Sequence, residues 1–215
     1  MKSDLHSREA SDSLFAESDG VLLISAAREI IEKFLDAKTL ILPDCISNDA
    51  RFSTKLGCFV TLKNDDEEKS LRGCIGIPEP IYELRKALPD ASISAATRDP
   101  RFPAVKRSEL DRLLLEVSIL TKPILLMTIN QAELPKLVQV GRDGLIMKWS
   151  YGSGLLLPQV ASEYGWSAED FLCNLSVKAG APPDQWLLPG TQIFVFRAQV
   201  FQEDSPRGKV TMSLD

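Results

Sequence analysis

Apolar and polar positions alternate along this chain with two different periods, and the period separates helix from strand. From Val21 to Leu35, Leu23, Ala27, Ile30, Ile31 and Phe34 recur three and four residues apart, with Arg28, Glu29, Glu32 and Lys33 between them. That spacing predicts an amphipathic helix. Residues 38–56 keep no period and hold the turn signal Leu42-Pro43-Asp44, so they read as a loop. The runs GCFVTLK (57–63) and SLRGCIGI (70–77) are β-rich and joined by the polar NDDEEK, which predicts an antiparallel hairpin.

Beyond Pro80, IYELRKAL has helical spacing, Pro89 interrupts it, and ASISAATR opens a second helix. Asp99-Pro100-Arg101-Phe102-Pro103 is a stiff turn, because each proline fixes its own φ and restricts its predecessor. LLLEVSIL (113–120) reads as a buried strand, 131–138 as a short helix around Pro135, and GLIMKW (144–149) as a strand. Tyr151–Gly154 is a turn leading into three leucines, and Pro158 sits well in the first turn of a helix to about Tyr164. Ser167 with Asp170 three residues on resembles a capping box, for a helix that stops at Gly180. TQIFVFRAQVFQE (191–203) reads as one long final strand.

Strands and helices do not alternate strictly, which favours α+β, a mainly antiparallel sheet flanked by helices, over a doubly wound sheet. The Ser-, Asp- and Glu-rich residues 1–18 and the polar residues 204–215 read as tails around a single domain over 19–203.

Composition narrows the chemistry. With 215 residues, 44% hydrophobic and 26% charged, the chain can bury a core without disulfides or metals. A net charge of -5 and a pI near 5.1 argue against a nucleic-acid surface. No apolar run approaches the roughly 20 residues of a membrane span, and MKSDLHSREASDS lacks the apolar stretch of a secretory signal. The expectation is a cytoplasmic protein with no membrane segment. The four cysteines are widely spaced with no C-x-x-C pair, so free thiols are expected, and neither a metal set nor a cofactor motif is present. His6 is the only histidine and stands in the polar start, leaving the rest of the chain without a Cys-His or Ser-His pair.

The strand SLRGCIGI holds the candidate chemistry. Two glycines weaken a strand interior, yet both flank a cysteine here, with an arginine before it. In a regular strand Leu71, Gly73, Ile75 and Ile77 share one face, while Arg72, Cys74 and Gly76 share the other. A guanidinium beside a thiol favours the thiolate, and amides bared at Gly76 suit an anionic or carbonyl oxygen. Alternatively, Cys74 is a small buried hydrophobe and the glycines serve close packing or a bulge. Asp99 and Arg101 offer a carboxylate and an anion clamp, or a turn cap and its partner. Gln159 is a neutral hydrogen-bonding candidate or a packing residue. The acidic run Asp65–Glu68 suits a cation or, more simply, a solvated tip.

The combination LRGCIG, preceded by FVTLK and followed by DPRF, GLLLPQVA and KAG…PPDQW, resembles the AMMECR family in its prokaryotic form, over about residues 20–203. The resemblance implies an α+β fold of two tightly packed subdomains with the LRGCIG segment at a cleft. Its signature falls on Leu71 through Gly76, on Asp99, Pro100, Arg101 and Phe102, and on Leu156 through Ala161. Where family members usually carry a cysteine before the KAG step, this chain has Ser176. Relatives fused to, or encoded beside, MEMO-like and radical-SAM proteins imply a partner of that kind. Two readings result. One is a module that binds such a partner, or a small polar ligand, through Gly73, Gly76, Asp99, Arg101, Phe102 and Gln159. The other is an enzyme or covalent carrier using Cys74 as a thiolate held by Arg72.

Overall fold

The structure, a computed structural model, describes residues 14–214. His6 and the first thirteen residues of the expected tail lie outside the described residues. The chain forms two compact units: the first runs to Ile119 and resumes over Gln199–Leu214, and the second is Leu120–Ala198.

In the first unit, helix α1 (Glu17–Ala37) is longer than the apolar period alone indicates. Asp19 extends its start, accepting a hydrogen bond from the Ala16 amide at 3.0 Å. Phe15, placed in the tail by its neighbours' polarity, is buried and stacks on Phe52 with ring centroids 5.7 Å apart. The stretch read as a loop carries a helical turn, α2 (Asp44–Ser47), and a 3-10 turn at Ala50–Ser53. The predicted hairpin forms as β1 (Gly57–Asn64) and β2 (Leu71–Ile77), paired antiparallel.

Pro89 does not divide the next helix. Helix α3 (Leu84–Thr97) runs through it, starting later than the apolar period indicates. The lost backbone bond is tolerated because Leu84, Ala87, Leu88 and Ala91 bury the helix in the core on either side of the proline. After α4 (Arg107–Leu110), β3 (Leu113–Leu120) is buried along its whole length.

The expected final strand is two strands in two sheets, β7 (Gln192–Phe196) and β8 (Ala198–Glu203), divided at Arg197. The residues read as a C-terminal tail then reverse and add β9 (Val210–Leu214) antiparallel to β8. The first sheet has the order β2-β1-β3-β8-β9. One face packs Cys58, Val60, Leu62, Leu115, Val117 and Phe201 into a core with α1 and α3. By strand alternation the other face carries Phe59, Thr61 and Lys63 from β1 and Glu116 and Ser118 from β3.

In the second unit, the short edge strand β4 (Ile124–Leu125), unseen in the sequence pattern, opens a sheet of order β4-β7-β5-β6. A 3-10 turn (Gln131–Glu133) leads to α5 (Leu134–Leu137), where one helix was expected. Strand β5 (Gly144–Trp149) pairs with β6 (Gly152–Leu156), so most of the expected glycine turn is strand. The reason lies at Gly152 and Gly154, where a Cβ would meet the Ala179 backbone at 2.7 and 2.6 Å. Helix α6 (Pro158–Glu163) starts at the proline, and α7 (Ala168–Lys178) carries both halves of the expected box. The Asp170 amide donates to Ser167 Oγ at 3.1 Å, and the Ser167 amide to Asp170 Oδ2 at 3.1 Å. Gly180 follows at φ 75°, a left-handed position that suits glycine. Leu145, Met147, Phe171, Leu172, Leu175 and Trp186 centre this unit's core. Among the described residues no helix is long and apolar enough to cross a membrane.

Candidate functional site

Strand β2 is an edge strand, so one side of its backbone has no strand neighbour. The register runs Thr61↔Cys74 and Leu62↔Gly73 and then shifts to Lys63↔Leu71, which leaves Arg72 as an extra residue, a β-bulge. The bulge breaks the alternation that would have put Leu71 on the core face with Gly73, and Leu71 is exposed. It also re-aims Arg72. Its guanidinium donates to the Pro103 carbonyl at 2.9 Å and to Glu109 Oε2 at 3.3 Å, and the side chain is only 12% exposed. The expected pairing of Arg72 with the Cys74 thiolate is therefore corrected: Arg72 ties β2 to the 103–109 segment instead.

The two glycines serve packing. A Cβ on Gly73 would stand 2.3 Å from the Ala95 carbonyl oxygen, so glycine lets α3 ride on the strand. On Gly76 it would stand 2.3 Å from the Phe59 ring and 2.5 Å from the Cys58 carbonyl oxygen. The expectation that Gly76 bares its backbone is thus corrected, since Phe59, opposite it in register, fills the space.

Cys74 is half-buried. Its Sγ accepts a hydrogen bond from Thr61 Oγ1 at 3.3 Å, across the pair that register places side by side. Burial pushes its thiol above the ordinary value; the Thr61 bond opposes this, Glu116 and Asp99 add to it, and Arg101 pulls against them. A lowered pKa was expected, and the physical reason for the reverse is first that the thiol is largely buried, and then that Arg101, the cation acting on it, is bonded to Asp99 while the Glu116 and Asp99 carboxylates act against the thiolate. Cys58, one strand away in the core, is pushed up to about 12 by burial alone.

Asp99 is the best-held side chain of the cluster. Its Oδ2 accepts from the Cys74 amide at 2.9 Å and from Arg101 Nη2 at 2.7 Å. Its Oδ1 accepts from the Arg101 amide at 3.1 Å and from Arg101 Nε at 3.0 Å. These bonds, Arg101's foremost, hold the carboxyl well below the usual carboxylate range. Arg101 Nη2 also reaches the Cys74 carbonyl at 3.4 Å, so both outward backbone groups of Cys74 are occupied. The DPRF turn therefore stands where a neighbouring strand would. Arg101 remains 54% exposed, with its guanidinium over the Phe102 ring at 5.4 Å.

The structure thus gathers Arg72, Gly73, Cys74, Gly76, Asp99, Arg101 and Phe102 in the first unit. Gln159 belongs to the second unit, on α6, where its Oε1 is buried without a hydrogen-bond partner among the described residues. Sequence reasoning missed Thr61 and the ion pair of Lys63 Nζ with Glu116 Oε2 at 2.6 Å. The alternation in FVTLK places Thr61 and Lys63 on one face, but only the register sets Thr61 beside Cys74.

A family model described as AMMECR1 matches residues 24–201. Protein MJ0810 of Methanocaldococcus jannaschii is 47% identical over 197 residues, spanning 92% of this chain and 96% of its own. A protein of Methanothermobacter thermautotrophicus is 49% identical over 190 residues, spanning 88% and 96%. The crystal structure of uncharacterised protein PH0010 from Pyrococcus horikoshii matches with a TM-score of 0.85 at 42% identity, over 94% of this chain and 99% of that one.

Proposed function

The chain belongs to the AMMECR1 family, and on that premise we propose that it is a binding module rather than a catalyst. It presents to a partner the exposed Arg101 and the surface of the DPRF turn that caps the Leu71–Ile77 edge at Cys74. The partner class is the one the family resemblance implies, a MEMO-like or radical-SAM protein, with a small polar ligand as the simpler occupant of the same surface.

One observation carries this reading. The polar groups of the motif are bonded to one another in the resting molecule, and the one thiol among them is held in its neutral form. A nucleophile needs the opposite arrangement, a cation free to hold the thiolate. A docking surface needs what is present: a fixed backbone, a braced turn and a half-exposed guanidinium able to meet a carboxylate or phosphate.

The test is direct binding of purified MEMO-like and radical-SAM proteins to the full chain by calorimetry, alongside Arg101→Ala and Cys74→Ser. Association that weakens at least about tenfold in Arg101→Ala and is unchanged in Cys74→Ser supports the module. A covalent adduct on Cys74, or turnover abolished by Cys74→Ser, replaces it with the carrier reading.

A further inference from the structure

Helix α6 ends in a corner that displays a fixed aromatic ring. Gly165, at φ 63°, turns the chain out of the helix. Its amide donates to the Ser162 carbonyl at 3.2 Å and the Trp166 amide to the Ala161 carbonyl at 2.8 Å, the bond pair of a Schellman turn. Trp166 then stands just before the Ser167 cap of α7 and packs on the core of the second unit. Tyr164 lies flat on it, with ring centroids 5.0 Å apart and planes 16° from parallel. One face of Tyr164 is thus held against the protein while the residue stays 69% exposed. A ring braced in this way has already lost freedom that a binding contact would otherwise have to remove.

The charges of the corner are all negative. Glu163 closes α6, and Glu169 and Asp170 open α7. Asp170 is spent on Ser167, whose hydroxyl donates to it at 2.6 Å. The side chains of Glu163 and Glu169 have no hydrogen-bond or ion-pair partner among the described residues. No lysine or arginine occurs between Lys148 and Lys178. Cations on neighbouring elements are engaged elsewhere. Lys136 on α5, which packs on α7, is held by Glu133 at 2.6 Å. Arg142, next to the Gly141 that abuts Ser162, is held by Asp143 at 3.3 Å.

We infer that this corner takes an arginine side chain of a partner protein. The open face of a tyrosine ring attracts a cation, and a planar guanidinium stacks on such a face as a compact ammonium does not. The N–H groups at its rim then serve the unpaired carboxylates of the same corner through charge-assisted bonds. A carboxylate or phosphate is repelled by those charges, and an apolar occupant leaves Glu163 and Glu169 without a partner. The corner belongs to the second unit and has the opposite sign to the Arg101 surface of the first.

Titration of the full chain with acetyl-Gly-Arg-Gly-Arg-Gly-amide, followed by NMR, tests this. The ring signals of Tyr164 and Trp166 should shift together with the 163–170 amides. The dissociation constant should be on the order of 1 mM, since each contact is exposed and modest. The same peptide with citrulline for both arginines, equally flat but uncharged, should bind at least about fivefold more weakly. Tyr164→Leu should weaken binding about fivefold, as should Glu163→Gln combined with Glu169→Gln. All three side chains are exposed, so these variants should melt with the wild type. Tyr164→Phe, which keeps the ring face, should bind normally, as should Tyr151→Leu, which removes an exposed aromatic outside the corner. Equal binding of the citrulline peptide, binding indifferent to Tyr164→Leu or to the paired Gln changes, or loss in Tyr164→Phe or Tyr151→Leu each overturns the proposal. So does the absence of any shift at about 10 mM peptide, or a larger shift of the Tyr164 ring with maltose or adenosine.

Discussion

At Gly73 a single hydrogen atom decides how closely α3 can approach the edge strand. The obstacle to any side chain is a backbone carbonyl, Ala95 O at 2.3 Å from the position of a Cβ, and a carbonyl inside a helix cannot rotate away. Gly73→Ala should therefore destabilise the first unit by about 3 kcal/mol, read from urea unfolding. Gly165→Ala is the contrast: φ is 63° there and no atom lies within 4 Å, so only the left-handed backbone penalty of about 1 kcal/mol applies. Equal losses would show that close approach is not what Gly73 serves. Cys74 gives a second prediction at this scale. Site-resolved alkylation against pH should place its midpoint above the ordinary thiol value of about 8.5. Glu116→Gln should lower the midpoint and Arg101→Ala raise it, because those charges act on the sulfur. Arg72→Ala should leave it in place, because that guanidinium is bonded to Pro103 and Glu109. A midpoint that follows Arg72 would restore the pairing that the bulge removes.

Among the elements, the DPRF turn is the one that fixes another, closing the outer side of β2 at Cys74. Its carboxyl sits below its unfolded range, so its contribution to stability is full above about pH 4 and is lost as pH falls through and below that value. Asp99→Asn should cost about 2 kcal/mol at neutral pH, a modest figure because Arg101 is half exposed. The gap between the variant and wild type should narrow steadily on acidification toward pH 3. A gap constant with pH would mean the charge is not what holds the turn. This turn also marks how far the sequence could be read. The prolines of Asp99–Pro103 announce a rigid turn, and the alternation of FVTLK and LRGCIG announces a hairpin, because both signals are local. The bulge at Arg72 is not local: it follows from where α3 and the 103–109 segment take hold of the strand. The division at Arg197 is hidden for the same reason, since QIFVF and AQVFQ read as one continuous β-rich run while joining different sheets. Pro89 misleads because the burial that overrides it is tertiary, and β9 because five residues after a polar turn carry too little period to register.

For the whole molecule, the order of the chain sets what can fold alone. The first unit is closed by residues 199–214, which return after the entire second unit has been made. Its buried cation depends on that return. Arg28 on α1 donates from Nε to Glu203 Oε1 at 3.1 Å and from its terminal nitrogens to the Leu110 and Leu113 carbonyls at 2.9 and 2.8 Å. Glu203 Oε2 in turn accepts from Arg28 Nη2 at 2.5 Å and from the Leu115 amide at 2.9 Å. A chain stopped after Ala198 leaves that cation buried and unpaired, which costs about 3–5 kcal/mol. It also removes Phe201, fully buried in the core, for about another 3–5 kcal/mol. Together these approach the whole stability of an ordinary domain, about 5–15 kcal/mol. The second unit loses nothing of its own contiguous sequence, and its two ends are already joined, Thr121 and Arg197 exchanging bonds of 2.9 and 2.8 Å. Hydrogen exchange on the 1–198 chain should therefore show free exchange over 57–64 and 113–119 with protection kept over 144–149 and 168–178. A peptide of residues 199–215 added in excess should restore the first set. Protection of 57–64 without that peptide would show that α1, α3 and the hairpin are stable without Glu203, and that the buried pair is dispensable to the first unit.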